Sequence, residues 1–461
     1  MEEKNIPVKA GMTREFFVDR LGSHAEGVAH ADGFAVFVRD ALPGEKIRAR
    51  VETVKKSYAT ATLTDILEAS PERTKPRCPI YDLCGGCQLQ HLAYASQLRE
   101  KQRQVEDAVR HIGKLRDVNI FPTLGAEPWS YRNKMQFPVG RARGEIAIGC
   151  FAQGSHSIID TETCLIQKQA NNEIMNAMRE AVRYFHLPVY DEDRHTGLVR
   201  HIMGRVGKNG DAMAVIVTAK KELPRAKELV KFLRSRVPRL VSVHQNIQTY
   251  HNNVILGRET KLLWGKSAIQ DTIGPLSFQI SPRSFFQVNT AQAEVLYGKA
   301  LEYANRHGGE TVSDAYCGTG TITLFLARKA AKAYGIEVVP TAIADAKKNA
   351  RANHIKNAEF FVGDATQAMP RLYRDGVRPD VIVTDPPRAG CTPVVLETFA
   401  RMRPSRIVYV SCNPATLARD LAILDGLGYR TERIQPVDLF PQTSHIESVS
   451  LIVPKPSPKE A

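Results

Sequence analysis

No stretch of this 461-residue chain is long and apolar enough to span a bilayer, and the opening Met1-Glu-Glu-Lys-Asn lacks the apolar core of a secretory leader. The sequence therefore predicts no membrane partner and a reducing, cytoplasmic setting in which disulfides are not expected. Internal repeats are absent, which argues against a solenoid or propeller. Low complexity is limited to Pro454–Ala461, read as a disordered tail. Acidic residues are in deficit: 49 Asp and Glu face 63 Lys and Arg, a net charge of +14 at pH 7. The excess is concentrated in residues 71–281, with 31 basic and 20 acidic side chains, against 10 and 11 in residues 1–70 and 22 and 18 in residues 282–461. A surplus so placed attracts phosphate without reading sequence and predicts salt-sensitive nucleic-acid binding. No obligate protein partner is indicated. With 43% hydrophobic residues, the chain is large enough for about three domains.

Cysteine is also scarce, yet half of the eight are gathered in Cys78-Pro-Ile-Tyr-Asp-Leu-Cys84-Gly-Gly-Cys87 and, far downstream, Thr161-Glu-Thr-Cys164. In a reducing compartment such clustering points to metal. Four thiolates suit a [4Fe–4S] cluster, while Cys78, Cys84, Cys87 and His91 equally suit tetrahedral zinc, and spacing leaves both open. A radical-type Cys-x3-Cys-x2-Cys motif does not match, because five residues separate Cys78 from Cys84.

The C-terminal part alternates apolar runs with helical patterns. Strands are predicted at Val312–Cys317, Lys332–Glu337, Glu359–Asp364, Val381–Asp385, Arg406–Cys412, Thr431–Leu439 and Ser448–Val453, with a helix from Ile322 to Ala331 after the Gly318-Thr-Gly320 loop. Such alternation implies a mainly parallel, doubly wound sheet whose ligands bind at the carboxyl ends of the strands. Glu337, Asp364, Asp385 and Cys412 all fall at such ends. The last two runs are too close for a helix between them and predict an antiparallel edge. In Ser411-Cys412-Asn413-Pro414, Asn413 suits an N-cap and Pro414 the first helical turn. Cys412 would then sit beside unpaired N–H groups that favour its thiolate.

These features resemble the class I S-adenosylmethionine-dependent methyltransferase fold. Asp385-Pro-Pro-Arg388, Ser411-Cys-Asn-Pro414 and Phe440-Pro-Gln-Thr-Ser-His-Ile-Glu447 together resemble the RNA (uracil-5-)-methyltransferase family, and most closely its bacterial 23S ribosomal RNA enzymes. The resemblance implies methylation of uracil carbon 5 with Cys412 as nucleophile and Glu447 as base, and Asp385 lying between donor and base to orient the uracil. Chemistry calls for such a pair: carbon 5 becomes nucleophilic only after addition at carbon 6, and its proton must then leave. The resemblance further implies S-adenosyl-L-methionine contacts from Gln287, Tyr316, Glu337 and Asp385, with Thr321 and Asp364 as weaker matches. It favours the [4Fe–4S] cluster, with Cys164 as the distant fourth ligand beside Cys78, Cys84 and Cys87. Transfer RNA is the alternative substrate, and a non-catalytic RNA-binding assembly factor the alternative class. An amino-group methyltransferase would have an aromatic residue where Arg388 stands and would leave Cys412 idle.

Residues 12–68 read as about five short strands separated by glycines, a pattern of small β-barrels that resembles the OB-like TRAM domain of the same family. The expected architecture is thus a TRAM barrel (1–70), a central α+β cluster- and RNA-binding domain (71–281) and a Rossmann-like α/β methyltransferase domain (282–461). Tyr94 to Ile112 predicts an amphipathic helix with Tyr94, Leu98, Val105, Val109 and Ile112 on its apolar face, and in the family the segment around 92–125 packs on the catalytic domain. Tyr131-Arg-Asn-Lys-Met-Gln-Phe137 interleaves basic and aromatic residues, as an RNA-facing strand does. Phe285 and Phe286 are expected in the core.

Overall fold

The computed structural model describes residues 6–304 and 307–456; the opening Met1–Asn5 and the end of the predicted tail lie outside the described residues. Strands β1 (Thr13–Leu21), β2 (Gly27–Ala31), β3 (Phe34–Arg39), β4 (Lys46–Val54) and β5 (Tyr58–Glu68) close into a barrel in the order β1-β2-β3-β5-β4. Alternation drives this closure. Phe16, Val18, Val36, Val38, Ile47 and Val51 point inward and are buried, and closure leaves no unpaired strand edge. Buried Glu45 fastens the barrel to the next segment. It accepts two hydrogen bonds from Arg73, at 2.6 and 2.8 Å, and one from the Leu42 amide at 2.8 Å.

Helix α1 (Tyr94–His111) follows the cysteine-rich loop, and the short strand β6 (Asn119–Ile120) follows the helix. A seven-stranded sheet comes next, built from β7 (Lys134–Ala142), β8 (Glu145–Phe151), β9 (Ile158–Asp160), β10 (Val199–Val206), β11 (Ala212–Thr218), β12 (Leu240–Ile247) and β13 (Glu259–Gly265). Its order is β13-β12-β11-β10-β7-β8-β9. Helices α2 (Gln169–Tyr184) and α3 (Ala226–Arg236) cover one face through Ile174, Met178, Leu229 and Leu233, which pack on Ile202, Ala214 and Ile216. The other face sends Met203, Met213 and Val215 into the core of the C-terminal part, next to the hairpin β14 (Ile269–Ile273) and β15 (Leu276–Ile280).

The C-terminal part contains α4 (Thr290–Ala304), β16 (Thr311–Asp314), α5 (Thr321–Ala327), β17 (Lys332–Glu337), α6 (Pro340–Ala352), β18 (Ala358–Val362), α7 (Ala365–Arg374), β19 (Val381–Thr384), α8 (Pro393–Met402), β20 (Arg406–Ser411), α9 (Pro414–Gly426), β21 (Tyr429–Val437) and β22 (Glu447–Pro454). The sheet order β18-β17-β16-β19-β20-β22-β21-β6 reverses direction between β16 and β19, so a crevice opens at their carboxyl ends. The first five of these strands are parallel; β22 runs antiparallel between β20 and β21.

Three expectations need correction here. The antiparallel pair is present, but the sheet's edge is β6, which joins β21 from far upstream. Helix α5 stops at Ala327 instead of Ala331, because the Ala331 amide donates to the Glu310 carbonyl as the chain turns into β17. On α1 the buried face includes Ser96, Gln97 and Lys101 together with Val105 and Val109, whereas Ile112 is half exposed. Among the described residues no helix is long and apolar enough to cross a membrane.

Candidate active site

The crevice opens into one cleft of about 1500 Å³ that extends from the Gly318–Gly320 loop to the cysteine-rich loop. Gln287, Tyr316, Thr321, Glu337, Asp364, Asp385, Cys412 and Glu447 line it, and so do Cys78, Cys84, Cys87 and Cys164. The sheet explains why residues so far apart in sequence meet. Because β22 is antiparallel to β20, it begins where β20 ends, and Ser448 pairs with Ser411. Glu447 therefore flanks Cys412, and Asp385 enters from the end of the neighbouring strand β19. Asn413 caps α9, accepting from the Ala415 amide at 3.1 Å, and Pro414 occupies the first turn.

The electrostatics differ from the sequence reading at one point. The Cys412 thiol is pushed up to about 11, first by burial and then by Glu447 and Asp385, while Arg388 pulls it down. A helix start favours thiolate, but desolvation and two facing carboxyls outweigh it here. Burial also raises Asp385 to about 7, with a contribution from Asp314, and raises Glu447 well above the ordinary glutamate value, with Asp385 adding to the shift and Arg388 opposing it. Arg388 itself donates toward His445 Nδ1 at 3.2 Å. Burial holds that imidazole down at about 4, so it is neutral near pH 7.

At the other side of the crevice, Gly320 has φ +81°, and a Cβ there would approach Ala346 Cβ at 3.0 Å and the Phe360 ring at 3.1 Å. Only glycine fits this turn. Glu337 accepts from the Gly318 amide at 3.2 Å and the Val339 amide at 2.9 Å, which fixes its carboxylate at the cleft wall. Asp364 caps α7 through the Thr366 amide at 2.8 Å, so part of its hydrogen-bonding capacity serves the helix. The Asn133 side chain holds the Gln287 carbonyl at 3.0 Å.

At the far end, Cys78, Cys84, Cys87 and Cys164 are free thiols joined by a fifth, Cys150 of β8, which sequence reading did not place. Among the described residues no group of three or more His, Cys, Asp and Glu is arranged to hold a metal ion. Of the zinc set Cys78, Cys84, Cys87 and His91, the three cysteines line the cleft and the buried His91 does not. His91 Nδ1 is engaged with the Tyr81 hydroxyl at 2.6 Å. The donor set is nonetheless suited to a larger thiolate cage. The Gly86 amide donates to Cys84 Sγ at 3.4 Å. A Cβ on Gly86 would touch both Cys84 Sγ at 3.4 Å and Cys150 Sγ at 3.5 Å. Burial pushes Cys87 up to about 12 and Cys164 to about 11, and the neighbouring thiols add to both shifts. Such sulfurs are stabilised as thiolates by a cationic group.

Several lining residues were not legible in the sequence. Phe285 is 69% exposed at the cleft, contrary to the core expectation, whereas Phe286 is buried. In the run from Tyr131 to Phe137, only Arg132, Lys134, Gln136 and Phe137 line the cleft, and both aromatic rings are buried. The interleaved pattern thus marks an amphipathic strand, with its basic side chains toward the cleft. Burial, together with Arg205 and Arg132, lowers Lys134 to about 7.

Comparison with known proteins agrees with this geometry. Residues 238–455 match the sequence model of the tRNA (Uracil-5-)-methyltransferase family, and residues 7–64 match the TRAM domain. An uncharacterized RNA methyltransferase of Halalkalibacterium halodurans is 49% identical over 98% of this chain and 99% of its own. Another, from Clostridium tetani, is 46% identical over 98% of each chain. The crystal structure of Pyrococcus abyssi tRNA (uracil-54, C5)-methyltransferase in complex with S-adenosyl-L-homocysteine superposes with a TM-score of 0.76 at 28% identity, covering 95% of this chain and 99% of that one. The chain therefore belongs to the RNA (uracil-5-)-methyltransferase family and carries a TRAM domain at its N-terminus.

Proposed function

We propose that this protein methylates carbon 5 of specific uridines in 23S ribosomal RNA through a covalent adduct between Cys412 and carbon 6 of uracil. The observation that carries the reading is the meeting of Cys412, Glu447 and Asp385 in the cleft that also contains the Gly318–Gly320 loop. S-adenosyl-L-methionine supplies the methyl group on a positively charged sulfur. Gln287, Tyr316, Thr321, Glu337, Asp364 and Asp385 bind it in the crevice between β16 and β19. Cys412, once deprotonated, attacks carbon 6 and makes carbon 5 an enolate carbon able to accept the methyl group. Asp385 orients the uracil. Glu447 then takes the proton from carbon 5, the C5=C6 bond re-forms and the thiolate leaves. The functional units on this reading are a TRAM barrel (1–70), a central RNA-binding unit (71–281) and the catalytic unit (282–461), acting in the cytoplasm.

The test separates the two steps. Cys412→Ala is expected to neither methylate RNA nor bind it covalently, whereas Glu447→Gln transfers the methyl group and stays attached. A denaturing gel with methyl-labelled cofactor shows the latter as a slow labelled band. Production of 5-methyluridine by Cys412→Ala would refute the mechanism. Transfer RNA is the second reading, favoured because the P. abyssi tRNA enzyme covers 95% of this chain. Mapping 5-methyluridine in ribosomal and transfer RNA from a deletion strain decides between them.

Cys78, Cys84, Cys87 and Cys164 would hold a [4Fe–4S] cluster, a reading supported by the gathering of all four at one end of the cleft and by the Gly86 amide on Cys84 Sγ. It would tie a loop to a segment 77 residues beyond Cys87 (164 − 87) and so shape the RNA-facing surface. Anaerobically purified protein is expected to be brown, and Cys→Ser at any of the four positions to bleach it. Colourless protein with stoichiometric zinc would refute the assignment.

A further inference from the structure

Glu447 is reached through the nine-residue connection 438–446 between β21 and β22, and that connection is held by its carbonyls. Five in succession accept a hydrogen bond from elsewhere in the molecule. Gln292 Nε2 donates to Asp438 O at 3.1 Å, Asn289 Nδ2 to Leu439 O at 3.2 Å, Lys101 Nζ to Phe440 O at 3.1 Å and the Tyr131 hydroxyl to Pro441 O at 3.0 Å. Gln442 O accepts from two consecutive amides of the cysteine-rich loop, Gln88 and Leu89, both at 3.0 Å. Gln442 is itself buried with φ +70°, a left-handed conformation that a non-glycine residue keeps only when its surroundings impose it. Gln97 of α1 completes the grip. Its Nε2 donates to Gln442 Oε1 at 3.0 Å and to the Leu89 and Leu92 carbonyls at 2.9 and 2.8 Å, while its Oε1 accepts from the Gln442 amide at 3.2 Å.

We propose that Gln97, Tyr131 and the Gln88–Leu89 amides are positioning residues for proton removal by Glu447, and that the cysteine-rich loop thereby serves the second half of the reaction. The inference rests on the covalent mechanism above. In the step concerned, the carbon 5–hydrogen bond breaks and the proton passes to a Glu447 oxygen. The electron pair left behind forms the C5=C6 bond, and the carbon 6–sulfur pair departs with Cys412 as thiolate. Cys412 does not depend on this clamp. It is held by β20 and by the Asn413 cap, in which the Asn413 side chain also donates to the Arg388 carbonyl at 3.1 Å. If the clamp loosens, Gln442 relaxes from its left-handed conformation and shifts the approach to Glu447, while the nucleophile stays in place. Methyl transfer then continues and adduct breakdown slows. Cys87 immediately precedes Gln88, so whatever anchors that cysteine also fixes the two amides.

The experiment uses full-length, anaerobically purified protein and in vitro transcribed 23S ribosomal RNA or transfer RNA, whichever the wild type methylates. In single-turnover reactions with methyl-labelled cofactor, a denaturing gel separates RNA still bound to protein from released methylated RNA. Gln97→Leu and Tyr131→Phe are expected to raise the ratio of trapped to released RNA by roughly tenfold, the scale of a small displacement of a reacting group, with methyl transfer within about twofold of wild type. Amide exchange across residues 443–447 should quicken in the same variants. Asn246→Ala is the control. It removes buried hydrogen bonds to the Gly257 and Glu259 carbonyls, none of them part of the clamp, and should lower the melting temperature without altering the ratio. A wild-type ratio in both clamp variants, or a matching fall in transfer and release, would overturn the proposal. Should Gln97→Leu fail to fold, Tyr131→Phe, which deletes a single hydroxyl, decides alone. If Glu447→Gln itself traps no RNA, the assignment of Glu447 as base fails and the proposal with it; if Glu447→Gln traps RNA and the clamp variants do not, only the clamp fails.

Discussion

Arg388 pulls Cys412 and Glu447 in the same direction, lowering both against burial and against Asp385. A thiol near 11 is mostly protonated at neutral pH, so adduct formation is expected to rise with pH through the neutral and mildly alkaline range. Removing the cation by Arg388→Met raises the thiol further. The rising limb should move to higher pH, and adduct formation at pH 7.5 should fall. Single-turnover rates measured against pH check this, and an unmoved limb would remove Arg388 from the role. The arginine was visible in the sequence as the residue after the double proline. Its effect was not, because that depends on the burial of two groups 24 and 59 residues farther along the chain (412 − 388 and 447 − 388).

At the scale of elements, α1 is bound to the β21–β22 connection by a buried ion pair. Lys101 is 2% exposed, and its Nζ lies 2.6 Å from Asp438 Oδ1, with the Tyr94 hydroxyl donating to Asp438 Oδ2 at 2.9 Å. Burial holds Lys101 below the ordinary lysine value even against this partner. Lys101→Met leaves the carboxylate without its cation and is expected to cost about 3–5 kcal/mol in urea unfolding. Lys101→Met with Asp438→Leu should recover most of that loss, because a well-packed apolar pair replaces a costly desolvated one. A double variant as unstable as the single one would contradict this account. Periodicity placed the helix correctly and its buried face only in part. A lysine and a glutamine on the inner face carry no apolar signal, and their partners lie 337 and 345 residues away.

For the whole molecule, the charge surplus of residues 71–281 reaches the cleft as Arg132 and Lys134, which face Arg283 and Arg388 from the C-terminal part. RNA affinity is expected to fall linearly with salt on logarithmic axes, as counterions are released from each phosphate engaged. Replacing Arg132 and Arg283 together by Gln should flatten that slope by about 1.4 for single-stranded RNA, or about 0.7 per contact. Filter binding across a salt series measures it, and a slope unchanged by the double replacement would place the phosphate contacts elsewhere.

The strand and helix alternation, the acids at strand ends, the Asn413-Pro414 helix start and the five-stranded barrel were all legible in the sequence, because each depends on residues a few positions apart. Side-chain period, turn residues and capping are local properties. Sheet order is not. Only the insertion of β22 between β20 and β21 brings Glu447 beside Cys412, and only the arrival of β6 and α1 from upstream completes that half of the sheet. Burial follows the same rule. The raised Cys412 thiol, the exposure of Phe285, the approach of Cys150 to Cys84 and the five captured carbonyls before Glu447 all arise from segments distant in the chain. Desolvation depends on everything packed around a group, and sequence neighbours supply only a small part of that surrounding.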